Sequence, residues 1–166
     1  WARHLLFDID EPDFTDLQKM VGESIEVKRR IVEEDPYEHG LRKALNLGHT
    51  VGHAFESLAM EKENPVLHGY AVAWGLAAEL FLSHVVCQFP IDKMRRTVAY
   101  VRQHYGAPLF SCKDYERLYA LMLHDKKNVA GQINFTLLEN VGKIRLDCRV
   151  EKELLFEMFD FVREGM

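Results

Sequence analysis

The spacing of apolar and polar positions divides the chain into amphipathic helices, with one pair of short strands towards the C-terminus. Asp13 or Thr15 can cap a first helix running to about Glu34, with an apolar stripe of Leu17, Met20, Val21, Ile25, Ile31 and Val32. Lys28 lies on that stripe, where it either snorkels to water or directs its ammonium at an anionic group. Pro36 disfavours helix at Asp35 and Gly40 relaxes the backbone, so residues 33–40 read as a loop. A second helix is predicted over about 41–60. A third starts near His68, after the break at Pro65, and is apolar nearly all round, which predicts the buried central helix. Ile91, Met94, Val98 and Val101 mark an amphipathic helix from Pro90 to Tyr105, stopped by Gly106. Another runs from Tyr115 to about His124, and a last one covers Glu151 to Glu164. Between them, Gln132 to Leu138 and Lys143 to Arg149 alternate in part around Asn140, Val141 and Gly142, the pattern of a β-hairpin. The expected fold class is mainly α, a multi-helix bundle with one small β-hairpin, in a single domain over residues 1–166.

The second predicted helix departs from the usual pattern. Arg42, Asn46, His49 and His53 are spaced i, i+4, i+7, i+11. At about 100° per residue they share one narrow helical face, where a helix usually places apolar residues to meet a core. Here the stripe is cation, amide, imidazole, imidazole, flanked by Leu45, Leu47, Val51 and Phe55. Each residue alone fits a solvated face; four in register suggest the wall of a site. Two histidines at i, i+4 can grip one metal ion, or one can bind metal while the other handles protons. Gly48 and Gly52 lie on another side of the same segment, and glycines in a helix interior point to close approach of a backbone or a ligand. His68, at the entrance to the third helix, is placed to meet His49 or His53, although a histidine there also serves as an ordinary cap or surface residue.

Composition narrows the class. The chain has 166 residues, enough for one domain with a real core, and 48% hydrophobic against 28% charged residues reads as soluble and globular. A net charge of −5 without a basic run argues against a nucleic-acid or anionic-membrane surface. Cys87, Cys112 and Cys148 are unclustered, which suits a reducing, cytoplasmic setting and argues against a disulfide framework or a cysteine zinc site. The apolar run from Tyr70 to Val86 contains Glu79, Ser83 and His84, so it reads as a buried helix and not a membrane span. No signal peptide is visible, and no glycine-rich loop of the GxGxxG or Walker type is present to cradle a pyrophosphate. The chain starts at Trp1 without an initiator methionine, so a site found here is expected to need pieces supplied from upstream.

Arg42-x3-Asn46-x-Gly48-His49-Thr50-x-Gly52-His53-Ala54-x-Glu56, followed by His68-Gly69-x-Ala71-Val72, resembles the 3-dehydroquinate synthase family. The resemblance extends upstream through Lys28 and the Glu34-Asp35-Pro36 loop, and downstream through Asp125-Lys126-Lys127-Asn128. It covers only the family's C-terminal helical domain; the N-terminal NAD-binding α/β domain and a glutamate metal ligand of the family lie outside it. The resemblance implies conversion of 3-deoxy-D-arabino-heptulosonate 7-phosphate to 3-dehydroquinate and phosphate in the shikimate route to aromatic amino acids, with NAD and a divalent metal, zinc or cobalt. By position it implies His49 and His68 as two of three protein metal ligands and His53 as proton shuttle. Asn46 and His53 are similar to substrate and phosphate contacts, Arg42 and Lys28 to a cationic clamp for the carboxylate, and Lys126 or Lys127 to a further phosphate contact. The substrate would be a small sugar-acid phosphate and the full-length protein a homodimer; the chain alone, without the NAD-binding part, is expected to be inactive.

Independently of the resemblance, Lys28, Arg42 and His53 in a globally acidic protein suit a dianionic ligand, and imidazole suits zinc. Three other readings stay open. A sibling sugar-phosphate cyclase would share the metal stripe. His124-Asp125 is the dipeptide of an HD-type phosphohydrolase, although Lys126 and Lys127 beside it would repel a metal. A non-catalytic helical domain could carry the same residues idle.

Overall fold

The computed structural model describes residues 14–124 and 132–165, and the chain divides into two compact units, one ending at Leu45 and the other beginning at Asn46.

In the first unit, helix α1 spans Phe14–Glu34. Its expected cap Asp13 lies outside the described residues. Val21 and Ile25 of the apolar stripe stay more than half exposed, at 56% and 61%. Arg29 holds Glu26 and Glu33 on the solvent side through i,i+3 and i,i+4 pairs. The loop after α1 is organised by Asp35, whose carboxylate accepts the backbone N–H groups of His39, Gly40 and Arg42 at 3.0, 2.8 and 3.0 Å. Those three bonds satisfy donors that the break in the helix would leave open. A short 3-10 helix, Leu41–Asn46, follows.

The second unit is a helical bundle with a hairpin on one side. Helix α2 spans His49–Glu61, α3 His68–Cys87, α4 Ile91–Tyr105 and α5 Tyr115–Leu123. Strands β1, Phe135–Asn140, and β2, Lys143–Cys148, pair antiparallel. Helix α6, Lys152–Asp160, runs into a π-helical turn over Phe161–Gly165. The mainly α class with a single small hairpin is the fold expected from the pattern.

Helix α3 is the axis of this unit, packing against α2, α4, β1 and α6. It is long and apolar enough to cross a membrane by composition, yet Ala71, Ala77, Ala78 and Leu82 are fully enclosed by neighbouring elements. Small residues on α3 let α2 come close. A Cβ on Gly75 would fall 2.0 Å from the carbonyl oxygen of Gly48, and one on Gly52 would fall 2.9 Å from that of Ala71. The close approach that Gly48 and Gly52 suggested is therefore to another backbone. An aromatic cluster of Phe55, Phe110, Tyr115 and Phe159 ties α2 to α5 and α6, with Phe55 and Phe110 stacked at 5.4 Å. β1 is buried over Phe135–Leu138, whereas β2 is mostly exposed and forms the outer edge. Ser83 of α3 anchors the hairpin: its Oγ accepts the N–H of Leu138 at 3.0 Å and donates to the carbonyl of Glu79 at 2.6 Å.

Candidate active site

Three imidazoles meet where α2 and α3 begin. The ring centroids of His49 and His53 are 5.6 Å apart, those of His49 and His68 5.7 Å, and those of His53 and His68 5.6 Å. His49 and His53 are one helical turn apart on α2. His68 is the first residue of α3 and reaches them because Lys62 to Leu67 turn the chain back beside α2. His49 and His53 are half-buried, while the His68 side chain is 53% exposed, so the cluster opens to solvent on the α3 side.

The Nδ1 atoms of His49 and His68 each face an acceptor. The Nδ1 of His49 lies 3.2 Å from the carbonyl oxygen of Leu47, and that of His68 lies 3.0 Å from Oε2 of Glu56. Both partners are acceptors, so Nδ1 is the donor in each contact and Nε2 lies on the far side of the ring from it. Metal-ligating histidines have this arrangement, with a carbonyl or carboxylate behind the ring to fix tautomer and orientation. Two imidazoles sharing one tetrahedral ion would have centroids roughly 5–6 Å apart, a range that contains the observed spacing. Among the described residues, no group of three His, Cys, Asp or Glu side chains could close a metal cage on its own. The donor set therefore fits a divalent ion as two imidazoles that need a further ligand.

The continuous stripe predicted over 41–60 requires correction. Arg42 and Asn46 belong to the 3-10 helix, and α2 begins only at His49. Gly48 between them is left-handed, with φ of 81°, and breaks the register. The helical spacing therefore holds within the pair His49 and His53 but does not continue back to Asn46 and Arg42. The break is enforced from outside the segment. Glu79, on α3 and fully buried, accepts the N–H of Gly48 at 2.5 Å through Oε2 and that of Val51 at 3.2 Å through Oε1. These are donors that a helix N-terminus leaves open, and Gly48 has no side chain with which to cap them.

Arg42 belongs to the first unit, where its Nη1 donates to the carbonyl of Pro36 at 2.7 Å and its backbone N–H is held by Asp35. The Asp35 carboxyl is held below the usual range, chiefly by the N–H groups of Gly40 and then Arg42. Lys28 is on the exposed surface of α1. Lys126, Lys127 and the Asp125 of the HD dipeptide lie outside the described residues. Glu79 was missed as a site-building residue. The signal in the sequence was a lone carboxylate in an otherwise apolar helix, a residue type seldom fully buried without partners.

Residues 2–128 match the family described as 3-dehydroquinate synthase C-terminal. The chain belongs to that family. It is 55% identical over 165 residues to a 3-dehydroquinate synthase of Parabacteroides distasonis, covering 99% of this chain and 47% of that protein. A 3-dehydroquinate synthase of Leptospira interrogans is 39% identical over 141 residues, covering 85% of this chain and 38% of that protein. The chain thus spans about half or less of the length of these curated relatives. In fold it is similar to a crystal structure of 2-deoxy-scyllo-inosose synthase complexed with carbaglucose-6-phosphate, NAD+ and Co2+, at a TM-score of 0.69 and 22% identity, covering 98% of this chain and 48% of that one.

Proposed function

We propose that the protein carrying this chain is a 3-dehydroquinate synthase. It would convert 3-deoxy-D-arabino-heptulosonate 7-phosphate to 3-dehydroquinate and phosphate with NAD and a divalent metal, zinc or cobalt. The observation that carries the reading is the imidazole cluster at the start of α2 and α3, in a chain 55% identical to a protein of that name. The Co2+ and NAD+ complexed with the structurally similar 2-deoxy-scyllo-inosose synthase support the choice of cofactors.

In this reading His49 and His68 hold the metal through Nε2, with a third ligand from outside the chain. When bound, the ion supplies Lewis-acid polarisation of the substrate oxygens and NAD a transient oxidation at a ring hydroxyl. His53, one turn from His49 on α2, moves the protons as general acid and base. Asn46 and His53 bind hydroxyl and phosphate oxygens of the substrate. Arg42 and Lys28 hold its carboxylate, Arg42 through a planar fork suited to two oxygens and Lys28 as a point charge. Lys126 or Lys127 adds a phosphate contact. The small-molecule substrate, a homodimeric assembly and a cytoplasmic location belong to the same proposal.

The test is turnover by the full-length protein with NAD and Co2+, read as phosphate release and product mass. The expected result is 3-dehydroquinate from the heptulosonate phosphate and no carbocycle from glucose 6-phosphate. The reverse preference would assign the protein to a sibling cyclase. The chain alone, from residue 1 to 166, is expected to release no phosphate.

A further inference from the structure

The two helices that bear the imidazole cluster also brace each other where each begins. α2 begins at His49 and α3 at His68, and neither helix is capped by its own side chain: the cap positions are Gly48 and Leu67. At α2 the missing acceptor comes from the opposite helix, whereas at α3 the opposite helix holds the side chain of the first residue. Glu79 of α3 takes the N–H groups of Gly48 and Val51, on either side of His49. Glu56 of α2 takes the Nδ1 of His68.

We infer that Glu79 and Glu56 are positioning residues for the two metal-binding imidazoles, each acting from the helix that carries the other histidine. The cradle around the start of α2 is built for this. Gly75 and Glu79 are one turn apart on α3. Gly75 has no side chain where the Gly48 carbonyl lies, and Glu79 places a carboxylate where the next amides emerge. A negative group at a helix N-terminus is also favoured by the helix dipole. The main chain before and after His49 is thereby fixed, and the Leu47 carbonyl sets the ring's tautomer. On α3 the carboxylate acts on the ring directly. His68 is more than half exposed, whereas the Glu56 side chain is 20% exposed. The more exposed partner is thus tied to the more enclosed one. Because the two braces run in opposite directions between the same helices, the distance between His49 and His68 is set by the α2–α3 contact and not by the loop joining the helices.

This inference rests on His49 and His68 being the metal pair, so the experiment separates the two claims. Co2+ affinity of the full-length protein is measured by competition with a chromophoric chelator, alongside thermal unfolding of the metal-free form. Removing a hydrogen-bond partner behind a metal-binding histidine commonly weakens metal about 10–100-fold. Glu56→Ala is expected to fall in that range. Glu56→Gln, which keeps an acceptor oxygen, is expected to recover most of the loss. Glu79→Gln leaves one of two buried N–H groups facing an amide and is expected to weaken Co2+ at least tenfold. Leu82→Ala, a buried truncation on the same helix, serves as the control that lowers the melting temperature without changing Co2+ affinity in the folded protein. Glu56→Ala binding Co2+ within twofold of wild type overturns the inference, as does a Glu79→Gln effect no larger than that of Leu82→Ala. If Glu79→Gln does not fold, the Glu56 pair decides alone. His49→Ala and His68→Ala binding Co2+ as wild type does would instead overturn the metal assignment beneath it.

Discussion

Gly75 and Gly48 face each other so closely that a methyl group on Gly75 would fall 2.0 Å from the Gly48 carbonyl oxygen. No rotamer can relieve that contact, because a Cβ is fixed by its own main chain and the atom it meets is backbone. Gly75→Ala must therefore push α2 away from α3, and the first residues to move are those at the start of α2. Overpacking of this kind typically costs about 1–3 kcal/mol, and a backbone clash lies at the upper end. Urea unfolding should show Gly75→Ala to be more destabilising than Gly52→Ala, whose added methyl meets the Ala71 carbonyl at 2.9 Å.

Ser83 connects the central helix to the hairpin. It is fully buried, and its hydroxyl accepts the Leu138 N–H. Ser83→Ala removes that acceptor from a buried donor, at an expected cost of about 1–3 kcal/mol. Hydrogen exchange at the Leu138 amide should accelerate well beyond the effect on α2 amides. Equal acceleration in both would mean that Ser83 contributes to the core generally and not to the tether.

The Asp35 loop should respond to acid. Its carboxyl has a folded pKa below the unfolded value because it accepts N–H groups in the folded loop, Gly40 first and Arg42 next. A depressed carboxylate contributes stability above its unfolded pKa, about 3.9, and that contribution is lost as pH falls through the folded value. The amide resonances of His39, Gly40 and Arg42 should therefore hold steady from neutrality down to that region and shift together below it. Asp35→Asn should abolish the shared transition.

The reach of the sequence can be judged residue by residue. Helix α3 was legible because it is apolar all round, and α4 because Pro90 and Gly106 bracket an amphipathic repeat. The pairing of His49 with His53 was legible from helical spacing. The approach of His68 was legible from the short connection after Pro65. The start of α2 was not. Arg42, Asn46, His49 and His53 obey a helical repeat, but that repeat carries no information about Glu79, which lies 31 residues beyond Gly48 and takes its amide. A local pattern was overridden by a long-range hydrogen bond. The same limit hid Glu79: its isolation in an apolar helix spoke against a membrane span, but its partners are fixed only by folding.

Metal removal should leave the helices standing. The second unit has its own apolar core, with Leu82, Leu118, Leu155 and Phe159 fully buried away from the histidines. Treatment of the metal-loaded full-length protein with a chelator should leave the helical circular dichroism at 25 °C unchanged. The melting temperature should drop by the amount that lost ligand binding accounts for. Collapse of the helical signal on chelation would show that the fold depends on the ion.

The three imidazoles are nearly equidistant; His49 and His68, each with an acceptor behind its Nδ1, are assigned to the metal and His53 to proton transfer. Metal content and turnover of His49→Ala, His53→Ala and His68→Ala in the full-length protein test that division directly. His49→Ala and His68→Ala should lose tightly bound metal and with it turnover. His53→Ala should retain stoichiometric Co2+ and still lose turnover by about 100-fold or more, the range for a general acid–base group. Loss of metal in His53→Ala with retention in His49→Ala or His68→Ala would contradict the assignment.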